Sequence, residues 1–219
     1  KSEALLNIIG YHIDNDPSPI LCLQPTLEMA QAFSKDRVAN GLLKATVCLR
    51  GKVKDPRARD SGNTTLHKLF PGGSLTLVGA NSPSGLASRP IRLVLCDEVD
   101  RYPASAGSEG DPIQLARKRA ATFWNRKIVM VSTPTNKDAS RIEEAFEASD
   151  MRYYNVPCKH CHHKQKLKWS NVQWEEGDPD TAKYLCDECD TLWTDSDRRW
   201  SIRNGEWIAE KDFAGVAGF

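Results

Sequence analysis

The sequence contains no apolar run of the roughly 18 residues that a membrane-spanning helix needs, so no helical span is expected. Nor does it open on the basic and then apolar pattern of a secretory leader. Charge of one sign is almost absent in excess: 30 Lys and Arg against 29 Asp and Glu leave a formal +1. Bulk charge therefore gives no argument for a nucleic-acid partner, and any such argument must be local. Cysteine is sparse and odd in number, seven in all, which argues against a fully paired disulfide framework and suits a reducing compartment. No initiator Met precedes Lys1, and the sequence stops in apolar material at 214–219. Both ends read as cut, so motifs missing here are expected to lie outside the segment. What remains is ordinary for a globular chain: 219 residues, 40% hydrophobic and 27% charged, enough for one large domain or a medium domain plus a small one.

The most informative stretch is Ile91-Arg92-Leu93-Val94-Leu95-Cys96-Asp97-Glu98-Val99-Asp100. A continuous apolar run of this length reads as a strand buried on both faces, as in a parallel sheet. Carboxylates at the C-terminal end of such a strand stand where open α/β sheets bind ligands. Asp97 can hold a metal there, and Glu98 can orient or activate a water. The plain alternative is an acidic loop capping the next helix.

Around it the chain alternates. Ala4, Leu5, Leu6, Ile8, Ile9 and His12 form a helical stripe, ended by the turn formers 14–19. Ile20-Leu21-Cys22-Leu23 is a short apolar strand, and Thr26 is a plausible N-cap for a helix running to about Asn40. Residues 66–70 and 74–78 read as two strands about a Pro71-Gly72-Gly73 turn, and 81–85 as a loop or helix start. Residues 104–111 form a small, polar connection, and Pro112 opens a helix. Lys127-Ile128-Val129-Met130-Val131 is another buried strand, and 141–148 a further helix. This rhythm predicts an α/β fold with a mainly parallel sheet.

Three other features carry possible chemistry. Lys35, Arg37, Lys44, Arg50, Lys52, Lys54, Arg57 and Arg59 face only Asp36 and Asp55, a candidate phosphate-contact surface or a solvated loop. Lys1-Ser2, at the start of a helix, matches the last two residues of the phosphate-binding loop, where Lys reaches the terminal phosphates and the hydroxyl ligates magnesium. A chance Lys-Ser fits the same residues. Ser132-Thr133-Pro134-Thr135 follows a buried strand; its hydroxyls either meet a γ-phosphate and relay its loss, or simply form a turn.

From about Met151 the apolar runs shorten and tryptophans appear. Cys158-x-x-Cys161 and Cys186-x-x-Cys189, 24 residues apart, have the spacing of two zinc knuckles. Four thiolates would form a closed structural zinc site, with a strand pair expected around Leu167-Lys168-Trp169. His160, His162 and His163 are substitute ligands or surface residues. Lys159, Lys164, Lys166 and Lys168 are either nucleic-acid contacts or plain solvation. Cys22, Cys48 and Cys96 sit among apolar neighbours and read as buried thiols.

Taken in order, the chain resembles the ATPase segment of the lambda-like phage terminase large subunit, the GpA family. The residues carrying the resemblance are Lys1-Ser2-Glu3-Ala4-Leu5-Leu6-Asn7, Leu23-Gln24-Pro25-Thr26, Leu93-Val94-Leu95-Cys96-Asp97-Glu98-Val99-Asp100 and Glu109-Gly110-Asp111-Pro112. They continue in Val131-Ser132-Thr133-Pro134-Thr135 and Val156-Pro157-Cys158-Lys159-His160-Cys161. The resemblance implies a RecA-like P-loop NTPase core over 1–150, N-terminally truncated, and a zinc-ribbon-like module over 151–219 leading to a nuclease domain outside the segment.

It also implies an ATP-driven motor that packages viral double-stranded DNA, with endonuclease activity in the full-length protein and little ATPase in the segment alone. By motif, Lys1 and Ser2 bind ATP, Asp97 partners Mg2+, Glu98 is catalytic, and Ser132 and Thr133 couple hydrolysis to movement. Implied partners are the small terminase subunit, the portal and further copies of the chain, in the host-cell cytoplasm and without a membrane. The rival readings are a helicase-like or repair translocase, since the same core serves both, and a non-enzymatic zinc-ribbon DNA-binding module.

Overall fold

The computed structural model describes residues 1–58, 61–82, 85, 90–136 and 139–219. Arg59 of the basic run, and Pro83 and Ser84 of the expected loop, lie outside them. The chain divides into two compact units, Lys1–Ile142 and Glu143–Phe219.

In the first unit, α1 (Ser2–Asp14) leads to β1 (Pro19–Gln24), and α2 (Leu27–Ala32) continues as a π-helix over Phe33–Lys44. A 3-10 turn at Val47–Leu49 precedes β2 (His67–Phe70) and β3 (Gly73–Gly79). Then come β4 (Leu93–Asp97), a 3-10 turn at Val99–Arg101, α3 (Pro112–Arg119) and β5 (Lys127–Val131). The strands form one sheet in the order β2-β3-β1-β4-β5. β3, β1, β4 and β5 pair in parallel, and only β2 runs antiparallel, against β3. The Pro71-Gly72-Gly73 turn between β2 and β3 needs a left-handed residue, which Gly72 supplies at φ 81°.

Alternation along the strands builds two cores. Ile20 and Cys22 of β1, Leu75 and Leu77 of β3, and Leu93 and Leu95 of β4 face one side, covered by Leu5, Leu6, Ile9 and Ile13 of α1. Leu21, Leu23, Val78, Val94 and Cys96 face the other, covered by Ile113 and Ala116 of α3. The result is an α/β fold with a mainly parallel central sheet, the class its continuous apolar strands predict. Each fully buried Leu or Val of β4 contributes about 1.5–3 kcal/mol of hydrophobic transfer.

Two expectations fail here. The second helix does not stop near Asn40 but continues to Lys44 with wide turns. Phe33, Val38 and Leu43 recur every fifth residue and all are buried. Five residues carry an α-helix about 140° past a full turn, scattering these side chains, whereas i→i+5 turns keep them on one face. Cys48, expected to be buried, is exposed, while Cys22 and Cys96 are buried; the short turn at Val47–Leu49 buries only Leu49. Residues 104–111 form a hydrogen-bonded turn about Ala106, whose N–H donates to the Gly110 carbonyl at 2.8 Å.

The helix α4 (Arg141–Glu147) spans the division between the units. The second unit contains β6 (Arg152–Pro157), β7 (Lys164–Lys166), β8 (Val172–Glu175), β9 (Asp178–Leu185), β10 (Leu192–Trp193), α5 (Asp195–Arg203) and β11 (Glu206–Ala209). They form two antiparallel sheets, β10-β9-β8 and β11-β6-β7. Thr194 and Asp197 form a reciprocal capping box that starts α5. The strand pair expected around Leu167-Lys168-Trp169 lies later, in β8 and β9, while Trp169–Asn171 is a 3-10 turn. Here Lys168 N–H donates to the Tyr184 hydroxyl at 3.3 Å, a side-chain bond in place of a ladder.

Candidate functional site

Three parallel strands end together. Leu23 of β1 is level with Cys96 of β4, and Asp97 of β4 is level with Val131 of β5. The residues at or just beyond those ends, Gln24, Asp97 and Ser132, therefore emerge along one rim of the sheet, the ligand-binding edge of open α/β folds.

The first turn of α1 reaches the same rim. Ser2 Oγ donates to Asp97 Oδ2 at 3.2 Å, and Gln24 Nε2 donates to the same oxygen at 3.1 Å. Asp97 is 3% exposed. Its other oxygen, Oδ1, is buried with no hydrogen-bond partner among the described residues. A buried carboxylate oxygen without a donor carries a desolvation cost that a cation would relieve. Lys1 Nζ donates to Thr133 Oγ1 at 2.6 Å, bringing the α1 start to the segment after β5. The helix N-terminus presents free N–H groups and a positive dipole end to this rim, both favourable to an anion.

Glu98 follows Asp97 in a left-handed conformation, φ 55° and ψ 50°. For a non-glycine residue this costs about 1–2 kcal/mol, and it turns the chain sharply from β4 into the 3-10 turn. The Glu98 carboxylate lies 3.6 Å from Arg101 Nε. Ser132, 6% exposed, accepts from the Asp100 N–H at 3.2 Å and donates to the Thr133 carbonyl at 3.2 Å. It is thus engaged in shaping the loop, while the Thr133 hydroxyl meets Lys1.

Two participants escaped the sequence reading. Gln24 stood only within the Leu23-Gln24-Pro25-Thr26 stretch that carries the resemblance, with no role, although a polar side chain closing an apolar run was the available signal. Asp100 was the third acidic residue of a series and carried no role. In the structure its Oδ2 accepts from Thr135 N at 3.1 Å and its Oδ1 from Ile142 N at 2.9 Å. It ties the β4 exit to the segment after β5 and to the start of α4. Burial raises its pKa, but the Ser140 hydroxyl and the Ile142 and Thr135 N–H groups outweigh that and hold it below the ordinary value.

In the second unit the four cysteines converge. Cys158, Cys161, Cys186 and Cys189 place their sulfurs within 4.8 Å of one another. Cys158 and Cys189 are 3.8 Å apart, and Cys161 and Cys186 are 3.7 Å apart. Tetrahedral zinc with Zn–S of about 2.3 Å requires S···S near 3.8 Å, so the donor set fits that ion in chemistry and in size. The Thr191 hydroxyl and N–H pull the Cys189 thiol down to about 6, and Gln165 Nε2 donates to Cys186 Sγ at 3.4 Å. His160, His162 and His163 are exposed and outside this cluster. Lys159 pairs with Asp197 at 3.0 Å and Lys168 with Asp187 at 3.2 Å, while Lys164 and Lys166 pair with Glu206 and Glu210. These four lysines are neutralised within the unit.

No helix among the described residues is long and apolar enough to cross a membrane. The large terminase subunit of Enterobacteria phage P21 is 28% identical over 217 residues, covering 95% of this chain and 33% of that protein. That of Escherichia phage lambda is 23% identical over 193 residues, covering 85% and 30%. The chain thus spans about a third of the length of these relatives. The ATPase domain of the Thermus phage P74-26 large terminase aligns over 62% of this chain and 57% of its own, at 19% identity and a TM-score of 0.43. The family model described as phage terminase large subunit gpA, ATPase domain, matches residues 1–207. That match spans nearly the whole sequence, and the chain belongs to this family.

Proposed function

We propose that the chain is the nucleotide-hydrolysing part of a large terminase subunit, in which ATP turnover drives double-stranded DNA into a viral shell. The observation that carries this reading is the Asp97 carboxylate: one oxygen held by Ser2 and Gln24, the other buried and without a donor, at the rim where α1 begins. Ser2 and Asp97 would hold Mg2+, Lys1 would contact the terminal phosphates, and Glu98 would orient or deprotonate the attacking water. Magnesium, when bound, supplies positive charge against the phosphate oxygens. Thr133, joined to Lys1, and Ser132, joined to Asp100, would pass the loss of the γ-phosphate to the segment beyond β5. The four cysteines would hold one structural zinc ion, with no open position for catalysis. DNA cutting, the small terminase subunit, the portal and a ring of further copies belong to the complete protein on this reading, as does work in the host-cell cytoplasm.

The reading is tested by nucleotide affinity with and without Mg2+ in the full-length protein. Wild type should bind ATP more tightly with Mg2+, and Asp97→Asn should lose most of that gain. A variant that keeps the full Mg2+ dependence would remove Asp97 from the site.

A further inference from the structure

The basic run divides in the structure. Arg37 pairs with Glu3 and Lys52 with Asp14. Lys35, Lys44, Arg50 and Lys54, by contrast, line a cavity of about 350 Å³ together with Lys68 of β2. Among the described residues none of these five cations forms an ion pair. Asp55 is the one carboxylate on the wall, and its Oδ1 accepts from the Arg57 N–H at 2.8 Å. The floor is apolar, made by Leu43, Leu49 and Val53.

Lys68 is the informative residue. It is 4% exposed, and among the described residues its ammonium has one acceptor, the Thr65 carbonyl at 3.1 Å. Of its three donor hydrogens, one meets a protein acceptor among the described residues, and the others are left for whatever occupies the cavity. Burial alone lowers its pKa, so the site destabilises its own charged form unless an anion enters. A structural lysine would be expected at the surface with its ammonium in water.

We propose that this cavity is a second anion site that binds a phosphate ester, its phosphate on Lys68 and the basic rim and its less polar body on Leu43, Leu49 and Val53. Five cations against one carboxylate suit a phosphate group, doubly charged in a monoester and singly charged in a DNA backbone, whose several oxygens can accept from more than one of them. The cavity volume falls at the small end of small-molecule sites, about 300–1,000 Å³. It opens beside β2, three strand spacings or about 14 Å across the sheet from β4, and does not share the Asp97 rim. The phosphate has two sources, a free nucleotide or a strand of DNA.

The test follows the methyl resonances of Leu43, Leu49 and Val53 while AMP, and separately a short DNA duplex, is added to wild type and to Lys68→Met. Saturable shifts at these methyls with AMP assign the site to a free nucleotide, and shifts with the duplex alone assign it to a DNA backbone phosphate. In either case Lys68→Met should weaken binding about tenfold or more. That variant removes a poorly solvated charge and keeps the side-chain volume, so its melting temperature should equal or exceed that of wild type, which separates lost binding from lost folding. Silence of all three methyls with both probes, or shifts unaltered in a folded Lys68→Met, would overturn the proposal.

Discussion

Replacing Asp100 by Ala should loosen the joint between the β4 exit and the two segments it ties. The carboxylate accepts from Thr135 N at 3.1 Å and Ile142 N at 2.9 Å. Thr135 is exposed, so water replaces most of its bond. Ile142 lies in the first turn of α4, where losing a capping acceptor costs about 1 kcal/mol. The Ser140 hydroxyl also donates to Asp100; a hydrogen bond to a charged group contributes about 1.5–3 kcal/mol when buried, and the partial exposure of Asp100 reduces that to about 1 kcal/mol. The total is about 2 kcal/mol, which for a unit of this size lowers the melting temperature by about 6 °C. Asp100→Asn keeps a neutral acceptor and should lose about half as much. Calorimetric melting of both variants checks this. A loss for Ala below about 0.5 kcal/mol, or an Asn variant as damaged as Ala, would refute the reasoning.

Metal analysis of native protein should find about one zinc per chain, lost in Cys186→Ser. Chelation should abolish the near-ultraviolet signal of Trp193, which packs in the small core beside Cys158 and Cys186. Native protein without zinc, or a signal indifferent to chelation, contradicts the four-sulfur site. Acid should also destabilise the chain in a defined window. Asp16 is held below its ordinary pKa by Arg92, Asp187 by Asn171 and Lys168, and Asp100 by its hydroxyl and N–H donors. A depressed native pKa stabilises the fold above the unfolded value near 4, and that contribution fades as pH falls through the lower native values. Melting temperatures should therefore hold steady from about pH 7 to 5 and fall below about pH 4. A melting temperature that stays constant or rises below pH 4 would reverse the sign.

The strands were legible because burial on both faces leaves unbroken apolar runs, as in Leu93 to Cys96 and Ile20 to Leu23. The same runs placed Asp97 at a strand end, and the helical stripe after Ser2 located the start of α1. The Cys-x-x-Cys spacing is a local signal that needs no tertiary knowledge. What stayed hidden depends on geometry between distant segments. Gln24 and Asp97 share a hydrogen bond only because β1 and β4 pair in register, and no local pattern records a pairing partner. The five-residue spacing of Phe33, Val38 and Leu43 is visible in the sequence, but it matches neither common period. Cys48 has apolar neighbours yet lies exposed in a short turn, since neighbours in sequence do not decide which side faces the core. Lys68 looked like a polar strand residue; the charge balance of its cavity exists only after folding.

The most direct measurement is phosphate release under single-turnover conditions by full-length Glu98→Gln. Removing a general base or water-positioning carboxylate costs about 10²–10⁴-fold in rate. The loss should be at least hundredfold, with Mg2+–ATP affinity within about threefold of wild type. Turnover within a few-fold of wild type would contradict that role, and Glu98 would then be no more than the left-handed corner that follows Asp97.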